Sequence, residues 1–120
     1  MGERGCGGDV ERITRADVWT IEPSGFPKPR PAVVVSINPI NDLCPDVLLV
    51  PLTTKPGPLR VPISDPPHAT GLKDASYAKC ESVGPVHKSR LKARIGRVSK
   101  ANLTEIEEGL KRVLGITHHM

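Results

Sequence analysis

Ala32-Val33-Val34-Val35-Ser36-Ile37 is the stretch on which the fold turns. Its Val and Ile side chains are β-branched, stiff at χ1, and better suited to a pleated sheet than to a helix. The run predicts a buried central strand. Just upstream, Glu22 to Pro31 carries Pro23, Gly25, Pro27, Pro29 and Pro31, a density that predicts a loop. Before it, Asp17-Val18-Trp19-Thr20-Ile21 alternates polar and apolar, the period of a half-buried strand. Downstream, Asn38 to Pro45 is turn chemistry. Val47-Leu48-Leu49-Val50 is a second apolar strand that ends at Pro51-Leu52-Thr53-Thr54.

Further along, Lys55 to Pro58 reads as a turn, Leu59 to Ile63 as a strand that pairs back, and Ser64 to Asp74 as a polar loop. Ala75 to Val86 reads as one long, weak strand. Leu91, Ala93 and Ile95 alternate with Arg90, Lys92 and Arg94, which predicts another short strand. Ser99 has the chemistry of an N-cap. Leu103, Ile106, Leu110, Val113 and Leu114 recur at helical spacing, and Gly115 stands where a helix C-cap belongs. No βαβ repeat occurs. The expected class is mainly β (α+β): a small, strongly curved antiparallel sheet or SH3-like barrel with a C-terminal helix.

At 120 residues the chain is long enough for one domain and too short for two. The expected division is a flexible leader over 1–15, a domain over 16–116 and a tail over 117–120. Aromatic residues are scarce (one Trp, one Tyr, one Phe), so the core must be aliphatic, with Trp19 inside it. A core this lean favours an oligomer, because a partner supplies apolar contacts. The three cysteines, Cys6, Cys44 and Cys80, are widely spaced without a CxxC. That argues against a disulfide framework or a zinc site and for a reducing compartment, with Cys44 and Cys80 as core or edge thiols. No apolar run approaches the roughly 18 residues of a membrane span, and the Gly-rich start lacks the apolar core of a signal peptide.

The net charge of +4 suits an anionic partner. From Lys88 to Lys100 six cations occur with no acid. In an extended chain Arg90, Lys92 and Arg94 share one face, a basic stripe backed by an apolar one. Glu105, Glu107 and Glu108 belong to the solvent side of the helix. His68 and His87 are isolated, and no phosphate-binding, zinc-protease or serine-hydrolase motif occurs.

Several segments together resemble one family. Lys28-Pro29-Arg30-Pro31-Ala32 leading into the valine run, and Val50-Pro51-Leu52-Thr53-Thr54, look like two of its motifs. Gly71-Leu72, Lys79-Cys80-Glu81-Ser82, Arg90-Leu91, Ile95-Gly96 and a closing Val113-Leu114-Gly115 follow in the family order. Asp17-Val18-Trp19 resembles its Gly-Asp-hydrophobic-Trp start, with Ala16 replacing the glycine. The resemblance is to the MazF/PemK family of toxin endoribonucleases, over about residues 16 to 116.

The resemblance implies a cytoplasmic, homodimeric toxin of a type II toxin–antitoxin system that cuts single-stranded RNA with no metal or other cofactor. Arg30 and Thr53 fall on the catalytic arginine and threonine. Lys28, Thr54, Lys55 and Ser82 fall in the RNA-binding region, with Lys88 and Arg90 from the basic stripe and Phe26 placed to stack on a base. The implied chemistry is attack of the ribose 2′-OH on the adjacent phosphorus, leaving a 2′,3′-cyclic phosphate and a 5′-OH. The partners implied are RNA and an acidic, MazE-like antitoxin, with no membrane. This chain departs from the family pattern in a shorter, more proline-rich first loop, in Ser82 where many relatives have Gln, and in Gly84 where some have Arg. The alternative is a DNA gyrase-binding toxin of the CcdB type, which shares the fold. An aromatic end to the last helix would favour it, and Leu114-Gly115-Ile116 has none. A third reading is an inactive nucleic-acid-binding barrel.

Overall fold

The computed structural model describes residues 12–22 and 28–116. Among these residues are seven strands: β1 (Asp17–Ile21), β2 (Arg30–Val34), β3 (Asp46–Thr53), β4 (Val61–Pro62), β5 (Tyr77–Ala78), β6 (Gly84–His87) and β7 (Leu91–Arg97). Three helices accompany them: α1 (Asn38–Leu43), α2 (Pro67–Thr70) and α3 (Lys100–Leu114). The strands form one antiparallel sheet in the order β4-β5-β3-β2-β1-β7, with β6 also on β3. This is the expected class, a curved antiparallel sheet with a terminal helix.

β3 is the spine. One of its edges pairs along Leu49–Pro51 with β2. The other is shared, with Asp46–Leu49 on β6 and Leu52–Thr53 on β5. A 3₁₀ turn, Lys88–Arg90, then carries the chain from β6 on one side of the sheet to β7 on the other. The connection is short, so β6, β3, β2, β1 and β7 must curl around a common interior. Trp19, Ala32, Val34, Val47 and Leu49 fill that interior, with Val86 and Leu91 packed against them. The alternate side chains, Val18, Val33, Val50 and Leu52, face the other way and meet Leu103 and Ile106 of α3. The valine run therefore reads as unbroken because both of its faces are covered. Each such side chain contributes about 1.5–3 kcal/mol by leaving water.

α3 begins where Ser99 Oγ accepts the Asn102 N–H (3.1 Å). It ends at Gly115 in the left-handed region (φ 74°), where the Ile116 N–H reaches the Lys111 carbonyl (2.8 Å). Lys111 and Arg112 lie in its last turn, favourable to the helix dipole. Asn102 is fully buried and staples the helix to the chain after β4, accepting the N–H groups of Ser64 and Asp65 (both 3.0 Å).

Ala16 also adopts the left-handed region (φ 81°), where only glycine is at ease. Its N–H donates to the Val34 carbonyl (2.8 Å) and its carbonyl accepts the Val98 N–H (2.9 Å). These bonds hold a conformation that costs an alanine about 1–2 kcal/mol, and they account for glycine in the family pattern. The described end of the expected leader is tied down: Arg12 pairs with Asp42 (2.7 Å), and Arg15 with Glu107. Residues 1–11 and the tail 117–120 lie outside the described residues.

Four local expectations need correction. Asn38 to Pro45 is a short helix rather than a plain turn, because Asn41 turns inward and donates to the Ser36 carbonyl (3.0 Å). The valine run accordingly stops short of Ile37, which is 55% exposed at the start of α1. Ala75 to Val86 is not one strand. It divides into β5 and β6 around the 3₁₀ turn Cys80–Ser82, since Cys80 tucks under α3 with its thiol toward the Ile106 carbonyl (3.9 Å). Burial pushes that thiol's pKa up, whereas Cys44 is exposed. Finally, Arg30 and Pro31 open β2 instead of closing the loop, with Pro31 opposite Thr20.

Candidate functional site

The start of β2 and the end of β3 meet. Their register runs Val34↔Leu49, Val33↔Val50, Ala32↔Pro51. Arg30 opens β2 and Thr53 ends β3, two residues beyond the last pair of that ladder on each strand. Both residues line a cleft of about 390 Å³ together with Thr54, Lys55, Leu72, Lys73, Asp74 and Ser76. Three cations and one acid line it, so its field is positive.

Local chemistry holds each part in place. Thr53 Oγ1 accepts the Lys55 N–H (3.2 Å), the bond of a serine/threonine turn. The hydroxyl hydrogen can then be donated to a ligand. Arg60 clamps the same turn from behind, with Nη1 on the Lys55 carbonyl (3.0 Å) and Nε on Glu81 (3.0 Å). The Glu81 carboxyl is held below the usual carboxylate range, first by a main-chain hydrogen bond and then by Arg60. The far wall is the segment 72–76. Leu72 is buried at one end of it, and at the other the Ser76 carbonyl accepts the Ile63 N–H (2.9 Å). Gly71, at φ 77°, lets the chain turn into that wall. A Cβ there would stand 2.3 Å from the Ile95 carbonyl oxygen.

Of the residues singled out in the sequence, the structure brings Arg30, Thr53, Thr54 and Lys55 into this cleft. Lys28 is exposed just before β2 and is not part of the lining. Ser82 is exposed on the 3₁₀ turn after Lys79, outside the lining. Lys88 sits at the opposite end of β3, its N–H on the Pro45 carbonyl (3.0 Å). The strand's rise puts that end about 23 Å from Thr53. Arg90 donates to the Glu22 carbonyl from both Nε and Nη2 (3.0 and 2.7 Å), which fixes the end of β1 to the start of β7. Phe26 lies outside the described residues.

The single-faced basic stripe needs correction. Arg90 belongs to the 3₁₀ turn, and the β1–β7 register shifts at Val18/Trp19 and again at Thr20/Ile21. Lys92, Ala93 and Arg94 are consequently all exposed, and the alternation is lost. Conversely, Lys73 and Asp74 read in the sequence as polar loop and Ser76 as part of a weak strand, yet all three line the cleft. The adjoining Gly71-Leu72, a small turn residue and an apolar anchor, was the available sign that this loop returns to the core.

The chain is similar to proteins of one family. Residues 14–114 match the model of a family described as the PemK-like, MazF-like toxin of type II toxin–antitoxin systems. Among solved structures, an endoribonuclease in complex with its cognate antitoxin from Mycobacterial species is 27% identical, with a TM-score of 0.75 over 92% of this chain and 100% of that one. An endoribonuclease from Mycobacterial species is 25% identical, with a TM-score of 0.74 over 91% and 97% of the two chains. A MazE–MazF complex from Deinococcus radiodurans, at 20% identity and a TM-score of 0.74 over 90% and 100%, shares the fold. The family match covers the strands, the terminal helix and every residue of the cleft, and on it the chain belongs to the MazF/PemK toxins of type II toxin–antitoxin systems.

Proposed function

We propose that this toxin is an endoribonuclease that cuts single-stranded RNA at preferred sequences, with Arg30 and Thr53 at the reacting phosphate and no metal required. The observation that carries the reading is that Arg30 and Thr53, from the ends of two paired strands, line one cation-rich cleft. In the reaction the ribose 2′-oxygen bonds to the adjacent phosphorus as its proton leaves. The 2′-OH proton passes to water, the bond from phosphorus to the 5′-oxygen breaks, and that oxygen takes a proton from water. The products are a 2′,3′-cyclic phosphate and a 5′-OH. Negative charge grows on the non-bridging oxygens, and a guanidinium is a fixed fork of donors that grips two of them. We assign Arg30 this charge-stabilising role and not proton removal. Thr53 donates its hydroxyl to the same phosphate, with Lys55 adding positive charge beside it. Lys28, Ser82 and Phe26 are assigned to the path of the flanking RNA, whereas Lys88, at the far end of β3, and Arg90, held on the Glu22 carbonyl, are left out of it.

The test is cleavage of long single-stranded RNAs in EDTA by the wild type and Arg30→Ala. Discrete fragments with 5′-OH ends, lost in the variant, are expected. Absence of cleavage by folded wild type across several RNAs would overturn the reading and return the gyrase-binding alternative.

The same reading makes the protein a cytoplasmic homodimer neutralised by an acidic antitoxin. No helix among the described residues is long and apolar enough to cross a membrane. Exposed Ile37, Leu43 and Leu48 around α1 and β3 supply apolar surface for a second copy. The 27%-identical endoribonuclease is seen with its cognate antitoxin, and the positive cleft suits an acidic tail that folds on binding. Light scattering of the purified toxin should give the mass of two chains, and a single-chain mass at micromolar concentration would contradict the dimer.

A further inference from the structure

An anion-binding cleft has no electrostatic use for a carboxylate, yet Asp74 is part of this one. It is the single acid of the lining, among Arg30, Lys55 and Lys73. It sits at the tip of the wall between two anchors, the buried Leu72 and the buried Ser76. The Ser76 hydroxyl donates to the main-chain carbonyl of Asp74 (2.9 Å), so the backbone at the tip is fixed without use of the carboxylate. The wall has a second hollow of about 150 Å³ on its other side, which Asp74 also lines, with Asp65, Pro67 and Thr70. In the nuclease reading, a nucleotide with its phosphate at Arg30 and Thr53 would lay its base, or its neighbour's, against this wall.

A carboxylate facing phosphate is repulsive, but facing a base it is an acceptor of two parallel hydrogen bonds. In single-stranded RNA the Watson–Crick edges are open to such reading. Guanine alone presents two adjacent donors there, its N1–H and its 2-amino group. Adenine and cytosine place a ring-nitrogen acceptor beside their amino group, and uracil flanks its one donor with carbonyls. We propose that Asp74 is a specificity-determining residue that selects guanine at a fixed position beside the cut. This rests on the endoribonuclease reading above and adds to it the identity of one recognised base.

The test maps the 5′-OH ends cut from long single-stranded RNA by the wild type, Asp74→Asn and Asp74→Ala. Paired oligonucleotides that differ only at the fixed position then give kcat/KM ratios. The wild type should favour guanine there by roughly ten- to a hundred-fold, the discrimination of a good bidentate pair. Asp74→Asn replaces one acceptor with a donor, so its preference should move to adenine or cytosine. Asp74→Ala should cut with that position relaxed. A wild-type cut site without a fixed guanine, or variants that retain the wild-type preference, would overturn the assignment while leaving the nuclease intact. No cleavage by folded wild type would overturn both.

Discussion

Two regions of the molecule are rich in cations, and only one of them converges. From Lys88 to Arg97 basic residues follow one another along the chain, yet several of them serve the fold. Arg90 is bound to the Glu22 carbonyl, Lys92 pairs with the Glu22 carboxylate (3.3 Å), and Arg97 pairs with the buried Asp17 (2.8 Å). The cleft draws Arg30, Lys55 and Lys73 from three separate segments and sets two threonines among them. Density of charge in a sequence marks the first region. Convergence in space marks the second, and a phosphate needs convergence, since donors must reach several of its oxygens at once.

The comparison can be broken at either region. Arg30→Ala should lower cleavage per folded molecule by about a hundred- to a thousand-fold, the loss seen when one donor to a developing oxyanion is removed. A variant that keeps a tenth of wild-type activity would shift the reacting phosphate away from Arg30. Thr53→Val should cost about ten-fold, the value of one hydrogen bond to a charged group, and Thr53→Ser should recover most of it. Equal loss in both variants would mean that Thr53 serves the strand end and not the phosphate.

The basic run should answer to stability instead. Asp17 is 1% exposed and also accepts the Thr14 N–H (2.9 Å) and the Trp19 indole N–H (3.3 Å). Arg97→Ala leaves that buried carboxylate short of its cation. Because Arg97 is half exposed, water replaces part of the interaction, and the expected loss in urea unfolding is about 1–2 kcal/mol. Cleavage per folded molecule should be unchanged. Lys92→Ala, which breaks only an exposed pair, should stay within about 0.5 kcal/mol of wild type. A fall in cleavage for either, at equal folding, would place RNA on the β7 side.

The two regions were unequally legible in the sequence. β1, β2, β3 and α3 announce themselves through alternation, β-branching and capping, all of which act between near neighbours. Arg30 and Thr53 stand out through motif resemblance, and the antiparallel pairing of β2 with β3 accounts for their meeting in one cleft. Lys73 and Asp74 were not legible. Their place depends on Gly71 meeting the Ile95 carbonyl and on Ser76 pairing with Ile63, contacts between segments distant in sequence. The basic stripe failed for a related reason. It assumed an unbroken strand from Arg90, whereas the turn from β6 and two irregularities against β1 reset the faces. Periodicity fixes a side chain's face only while the ladder stays regular.

The most direct test of the contrast between the regions is to watch where RNA binds. Amide NMR spectra would be recorded on adding a single-stranded RNA whose cut-site ribose is 2′-deoxy, which removes the attacking hydroxyl and leaves the phosphates in place. Shifts concentrated at Arg30, Thr53–Lys55 and Leu72–Ser76, and absent from Arg30→Ala, are the predicted result. Shifts confined to Lys88–Arg97, with the cleft unmoved, would contradict it.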